Sequence, residues 1–123
     1  MREKAGYIME ELRGQVRETD GVKLLTARVD LDPAAIKDLA FKLGSEYEDL
    51  LLLLATDRGG KPVLSCYISK GLAQARNLHA GQIVRELGKH IKGGGGGQPF
   101  FATAGGKDPS GIPKALEAVV EYL

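Results

Sequence analysis

The sequence predicts an α/β (α+β) domain in which a mixed β-sheet is packed with helices. Three observations carry that prediction. Segments of helical period alternate along the chain with short apolar segments of strand length. One of these, Leu50 to Ala55, is an unbroken apolar run bounded by polar residues, the pattern of a strand buried on both faces. The chain has 123 residues, of which 43% are hydrophobic, enough for one core and too apolar for general disorder.

The elements follow in order. In MREKAGYIMEELRGQVRETDG, Ile8, Leu12 and Val16 fall at i, i+4 and i+8, one stripe of a helix, with Gly21 as its stop signal. So narrow a stripe does not hold a helix in water by itself, so this one must dock on the rest or on a partner. Nothing ahead of it reads as an N-cap, as expected where a helix continues a longer one. Val22 to Asp30 is apolar and β-branched and short enough for a strand. Asp32-Pro33 supplies an N-cap and a first-turn proline, and Ile36, Leu39, Ala40 and Leu43 continue at helical spacing. Leu50 to Ala55 is the central strand. Asp57 to Lys61 is turn chemistry, and Pro62 to Ser69 is the returning strand of a hairpin.

Ser69 to Asn77 is small and polar, a predicted loop. Ile83, Val84, Leu87 and Ile91 mark a helix over 79–92, which Gly81 and Gly88 weaken. After the glycine run 93–97, Pro99 to Thr103 reads as extended and closes at Gly105-Gly106. Ser110, Pro113 and the stripe Leu116, Val119, Val120, Leu123 form the last helix. The predicted order is α-β-α-β-β-α-(Gly loop)-β-α, with no internal repeat.

Composition narrows the chemistry. The single cysteine, Cys66, excludes an internal disulfide framework and a multi-cysteine zinc site, and fits a reducing cytoplasm. No apolar run approaches the ~20 residues of a membrane-spanning helix, and no secretory signal opens the chain. A cytoplasmic protein with no membrane partner is expected. His79 and His90 lie eleven residues apart, and HxxxH, HExxH and CxxC are absent, so no metal site is predicted. GxSxG is absent, and Gly105-Gly106-Lys107 is followed by Asp108-Pro109 rather than by the Ser or Thr of a P-loop. No catalytic residues are predicted. The residues offer a binding surface.

Charge says where. The formal net charge of +1 conceals two unlike halves. Residues 1–60 hold nine Lys and Arg against twelve Asp and Glu, and residues 61–123 hold eight against four. Between Arg76 and Lys107 five basic residues face one acidic one, and this stretch brackets Gly93 to Gly97. Such asymmetry points to a polyanionic partner, although a solvated basic face reads the same way. Unbroken glycine also reads as a linker, but only 26 residues follow, too few for a second core. A built loop whose exposed N–H groups cradle an anion is the alternative. Glycine content does not distinguish a bound nucleotide, an RNA backbone or simple close packing.

The segment GGGGGQPFFATAGGKD, Gly93 to Asp108, resembles the glycine run, Pro, Ala and Gly-Gly pattern of the C-terminal (C-Ala) domain of alanyl-tRNA synthetases, a DHH-associated domain. The strand and hairpin over 49–69, the approach from Lys70 to Ala80-Gly81 and the closing IPKALEAVVEYL are similar too. The resemblance covers the chain from about Arg17 onward. It implies the DHH-associated fold over residues 21–123, with residues 1–20 as the end of a linker helix. It implies binding of the tRNA outer corner, tRNA-Ala in the parent enzyme, in a way that links aminoacylation with editing. The other domains of that synthetase would be further partners. ATP, Mg and Zn are then expected only in those other domains, with no cofactor and no catalysis in this segment. The expected tRNA contacts are Lys70, Arg76, Arg85, Lys89, Lys92, Gly93, Gly94, Gly95, Gly96, Gly97, Gln98 and Lys107.

The resemblance departs at one point. DHH phosphoesterases share the associated domain and carry a histidine after their glycines, where this chain has Gln98. No Asp-His-His sequence occurs either, so the substrate-binding domain of such a phosphoesterase is the second reading. A homodimer through the first helix and an exposed sheet edge is a third expectation, compatible with the first.

Overall fold

The computed structural model describes residues 2–123, with side chains from Tyr7 onward. Helix α1, Arg2–Arg13, leads into strands β1, Arg17–Thr19, and β2, Val22–Arg28. Helix α2, Pro33–Gly44, connects β2 to β3, Leu50–Arg58, and a tight turn leads to β4, Lys61–Ile68. Helices α3, Lys70–Arg76, and α4, Ala80–Leu87, follow, and α4 ends in a 3-10 turn, Gly88–Ile91. Strands β5, Gly94–Gly97, and β6, Phe101–Gly105, precede helix α5, Ile112–Ala118. The six strands make one mixed sheet in the order β1-β2-β3-β4-β6-β5. This is the expected α+β class.

The sheet is mixed because its connections differ in length. Strands β2 and β3 run parallel, as the crossover through α2 requires, while β3 and β4 are antiparallel across the Gly59-Gly60 turn. Asp32 caps α2 as expected, accepting from the Ala35 N–H at 2.8 Å. Residues Ile36, Leu39, Ala40 and Leu43 are the buried stripe of α2. The predicted central strand is fully buried from Leu50 to Ala55.

Its alternate residues feed two cores. Leu50, Leu52 and Leu54 pack with α1 and α2 on one face, whereas Leu51, Leu53 and Ala55 pack with α3, α4 and α5 on the other. Ser69 joins β4 to α3 at the sheet's end. Its buried hydroxyl accepts from the Leu50 N–H at 3.0 Å and donates to the Tyr47 carbonyl at 3.3 Å.

Three expectations are corrected. The first helix stops at Arg13, and Val16 and Arg17 turn into the sheet. Asp20 and Gly21 have φ of 53° and 78°, a two-residue hairpin turn that pairs Thr19 with Val22. The apolar stripe continues across this break because Val16 still packs against the α2-side core. Secondly, Ser69 to Asn77 is no loop, since residues 70–76 form α3. Its small residues let Leu72 and Ala73 bury on one side, and Asn77 closes it in the left-handed conformation at φ 55°. Thirdly, the glycine run is an edge strand. Gly94 to Gly97 pair with Gly105 to Ala102, so the backbone groups facing β6 serve the sheet and are not free to wrap an anion.

Candidate nucleic-acid interface

The glycine strand is built by close approach. Helix α4 lies across β5 and β6 with its buried residues Gly81, Ile83, Val84 and Leu87 toward the sheet. A Cβ at Gly81 would stand 2.7 Å from the Gly97 carbonyl oxygen. The glycine that weakens the helix on propensity is what admits the strand. The two backbones meet almost without side chains between them. His79 starts the helix, its Nδ1 accepting from the Gln82 N–H at 3.3 Å.

The outward stripe of α4 and the turn after it carries the basic residues. Arg85 and Lys89 are exposed and four apart, so they share one helix face. The Arg85 guanidinium lies 3.9 Å from the position a Cβ on Gly96 would take, so it reaches the glycine strand itself. Glu86, the one acid of this stretch, turns elsewhere and accepts from the Tyr122 hydroxyl at 2.5 Å. Burial, reinforced by that carboxylate, raises the Tyr122 phenol well above its ordinary value.

Lys92 closes the 3-10 turn at φ 54°, a left-handed position that a lysine rarely occupies, and hands the chain to β5. Lys92 and Lys107 line one cleft of about 540 Å³ with Lys61, Val63, Gly93 and Gly105. Asp108 stands beside them. Hydrogen bonds from the Ser110 hydroxyl and N–H hold its carboxyl below the usual range, and Lys92 adds a smaller electrostatic pull. The site is thus a cationic strip, Arg85, Lys89, Lys92 and Lys107, running beside Gly93 to Gly97.

Two expected members stand apart from it. Lys70 opens α3, with its Nζ 5.9 Å from the centre of the Phe100 ring. Arg76 donates to the Asp20 carbonyl and so ties α3 to the β1–β2 turn. Both line a different cleft, which also holds the carboxylate residues Glu46, Glu48 and Asp49. Gln98 sits where β5 turns toward β6, with its N–H on the Phe101 carbonyl at 3.0 Å. It lines an apolar cleft of about 470 Å³ with Lys37, Phe41, Phe101 and Thr103.

Lys61, Lys37 and the two phenylalanines were not foreseen as site residues. Lys61 joins the strip only through the position of β4 in the sheet, and Lys37 reaches its margin only because α2 packs over the sheet beside Phe101. Phe41 did carry a signal: it is apolar yet falls off the Ile36, Leu39, Ala40, Leu43 stripe, so it had to face outward.

Among the described residues no group of three or more His, Cys, Asp or Glu side chains is placed to hold a metal. Cys66 is fully buried in β4, and burial pushes its thiol up to about 12. It should therefore resist a thiol-disulfide reagent at pH 8 in the native state and react at the rate at which the core opens. Prompt stoichiometric labelling of the folded chain would contradict this burial.

Comparison with known proteins agrees with the fold and sharpens it. The DHHA1 domain family matches residues 21–123. An alanine–tRNA ligase of Christiangramia forsetii is 53% identical over 123 residues, all of this chain and 14% of that protein. The chain thus spans about one seventh of the length of such a relative. The crystal structure of the C-Ala domain from Aquifex aeolicus alanyl-tRNA synthetase superimposes with a TM-score of 0.81 and 28% identity. That match covers 88% of this chain and 96% of that one. A pGpG-specific phosphodiesterase of Vibrio cholerae shares the fold alone, with a TM-score of 0.56 and 10% identity over 98% of this chain and 38% of its own. The resemblance drawn from the glycine motif is borne out at the level of family and fold: the chain belongs to the DHHA1 domain family.

Proposed function

We propose that this chain is the tRNA-binding C-terminal domain of an alanine–tRNA ligase, holding the outer corner of tRNA-Ala. The observation that carries the reading is the strip of Arg85, Lys89, Lys92 and Lys107 beside the glycine strand. Among the residues lining the lysine cleft there is no carboxylate. Phosphates attract such a strip from a distance, and side-chain-free backbone lets a bulky polyanion come close. Lys92 supports the reading further. A side chain is kept at a left-handed position, immediately before five glycines, where glycine would cost nothing.

The role is tethering. A domain that grips the tRNA body keeps its acceptor end near both the aminoacylation and the editing centres of the parent enzyme. It raises the effective concentration at each without a contact in either. Outer-corner recognition depends on shape, phosphates and 2′-hydroxyls more than on base sequence. Gly93 to Gly97, Gln98, Lys70 and Arg76 complete the contacts we assign, the last two from the separate cleft beside α3. The first helix is the end of a helical segment reaching toward the other domains. Aminoacylation and editing, with their ATP, Mg and Zn, belong to those domains, in the cytoplasm.

A tRNA titration at 50 and 200 mM salt tests this reading. Four neutralised phosphates predict a slope of log K on log salt of about −3, a fall of roughly sixty-fold across that range. No binding, or binding indifferent to salt, would overturn it.

A further inference from the structure

The two faces of the sheet are covered unequally. On the α3–α5 side, Leu64 and Cys66 of β4 and Ala102 and Ala104 of β6 are buried. On the other side α1 and α2 cover β2, β3 and β4, where Ser65 is fully buried and Tyr67 half-buried, and the cover ends at β6, leaving Phe101 and Thr103 half-buried. Phe41, at the margin of α2, is 46% exposed. Its ring meets Tyr67 edge-on at 5.3 Å and Phe101 at 5.5 Å and 41°, so three rings cluster at the border of an uncovered strip.

That strip continues onto the glycine strand. Thr103 pairs with Gly96, and beyond Gly96 no side chain rises from β5. The result is an apolar floor of ring and bare backbone with cations at its rim. Lys37 Nζ lies over the Phe101 ring, 5.7 Å from its centre, where an incoming base would displace it toward its phosphate, and the Arg85 guanidinium borders Gly96. No carboxylate lines this cleft, in contrast with the acidic cleft beside Lys70. Two residues further along β6, Gly105 pairs with Val63, and both line the lysine cleft. A flat apolar surface framed by cations matches a flat apolar group framed by phosphates.

We propose that the uncovered face of β6 and β5 is a stacking platform for an RNA base, or for a base pair at the end of a stack. Phe101 and Phe41 supply the rings, and Lys37 and Arg85 meet the flanking phosphates. The inference rests on the tRNA reading and adds a second mode of contact to it. The strip draws in the backbone through charge, and the platform takes an exposed base through its π-face. Stacking on an aromatic ring does not release counterions, so the two modes separate experimentally.

The test is tRNA binding by the whole chain at several salt concentrations with three variants. Phe101→Leu and Phe41→Leu should each weaken binding about tenfold while leaving the salt slope unchanged. Phe101→Tyr should restore affinity to within about twofold, since it keeps the ring. Phe41 is exposed, so its variant reports on the platform even if Phe101→Leu disturbs the core, and circular dichroism of each variant shows which case holds. Wild-type affinity in Phe41→Leu and in folded Phe101→Leu would overturn the platform and leave the cationic strip standing. Failure of the unaltered chain to bind tRNA would instead remove the tRNA reading on which both depend.

Discussion

Gly95→Ala should destabilise the domain by about 2–3 kcal/mol, while Gly94→Ala, one residue away, should leave it unchanged or slightly stabler. The two glycines look identical in the sequence. In the fold they differ because successive positions of a strand face opposite sides. A Cβ on Gly95 would overlap the Thr103 carbonyl and approach the Ala104 Cβ to 2.8 Å, with backbone behind it that has no slack. A Cβ on Gly94 meets nothing within 4 Å. Its gain comes from the unfolded chain, which loses freedom when glycine becomes alanine. Urea denaturation of the two variants reads the difference directly. Equal midpoints would mean that β5 is not held against β6 as described.

Lys89→Glu combined with Lys92→Glu should weaken tRNA binding on the order of fifty-fold at 0.1 M salt, with the deficit shrinking as salt rises. Each phosphate contact contributes roughly 0.7–0.9 to the slope of log K on log salt, so losing two should flatten the slope by about 1.5. The added carboxylates contribute repulsion on top of this. Arg76→Gln makes a useful contrast. Arg76 is engaged with the Asp20 carbonyl in a cleft shared with Glu46, Glu48 and Asp49, so its removal should change the slope by less than either lysine does. Filter-binding or fluorescence titrations over a decade of salt resolve these slopes. A double variant with the wild-type slope would place the RNA on another face.

Much of the architecture was legible because it depends on local period. The Ile36, Leu39, Ala40, Leu43 stripe and the Asp32-Pro33 cap define α2 without reference to anything else. An apolar run as unbroken as Leu50 to Ala55 has no stable home outside the middle of a sheet. Hairpin β3–β4 was announced by its Gly59-Gly60 turn. The same logic was available at Asp20-Gly21 and was outweighed there by the Ile8, Leu12, Val16 stripe. A shared core explains the difference, because Val16 reaches it from the connection ahead of β1 as readily as from a helix. The segment over 69–77 misled for the opposite reason. Its small polar residues have weak periodicity, and α3 is held by burial of Leu72 and Ala73 rather than by its own pattern.

By itself the sequence determined the class of the domain, most of its elements, its family and the side of the chain on which positive charge gathers. These depend on spacing along the backbone, which needs no knowledge of neighbours. Only the tertiary structure decided what the five glycines are. In isolation they could be linker, loop or strand, since glycine has no side chain to prefer one. Helix α4 and strand β6 settle the matter, by leaving room between them for backbone alone. The same packing separates Arg76 from the strip, joins Lys61 to it and leaves Phe41 and Phe101 on an uncovered face. Each outcome depends on pairing between residues far apart in the chain, which spacing along it does not encode.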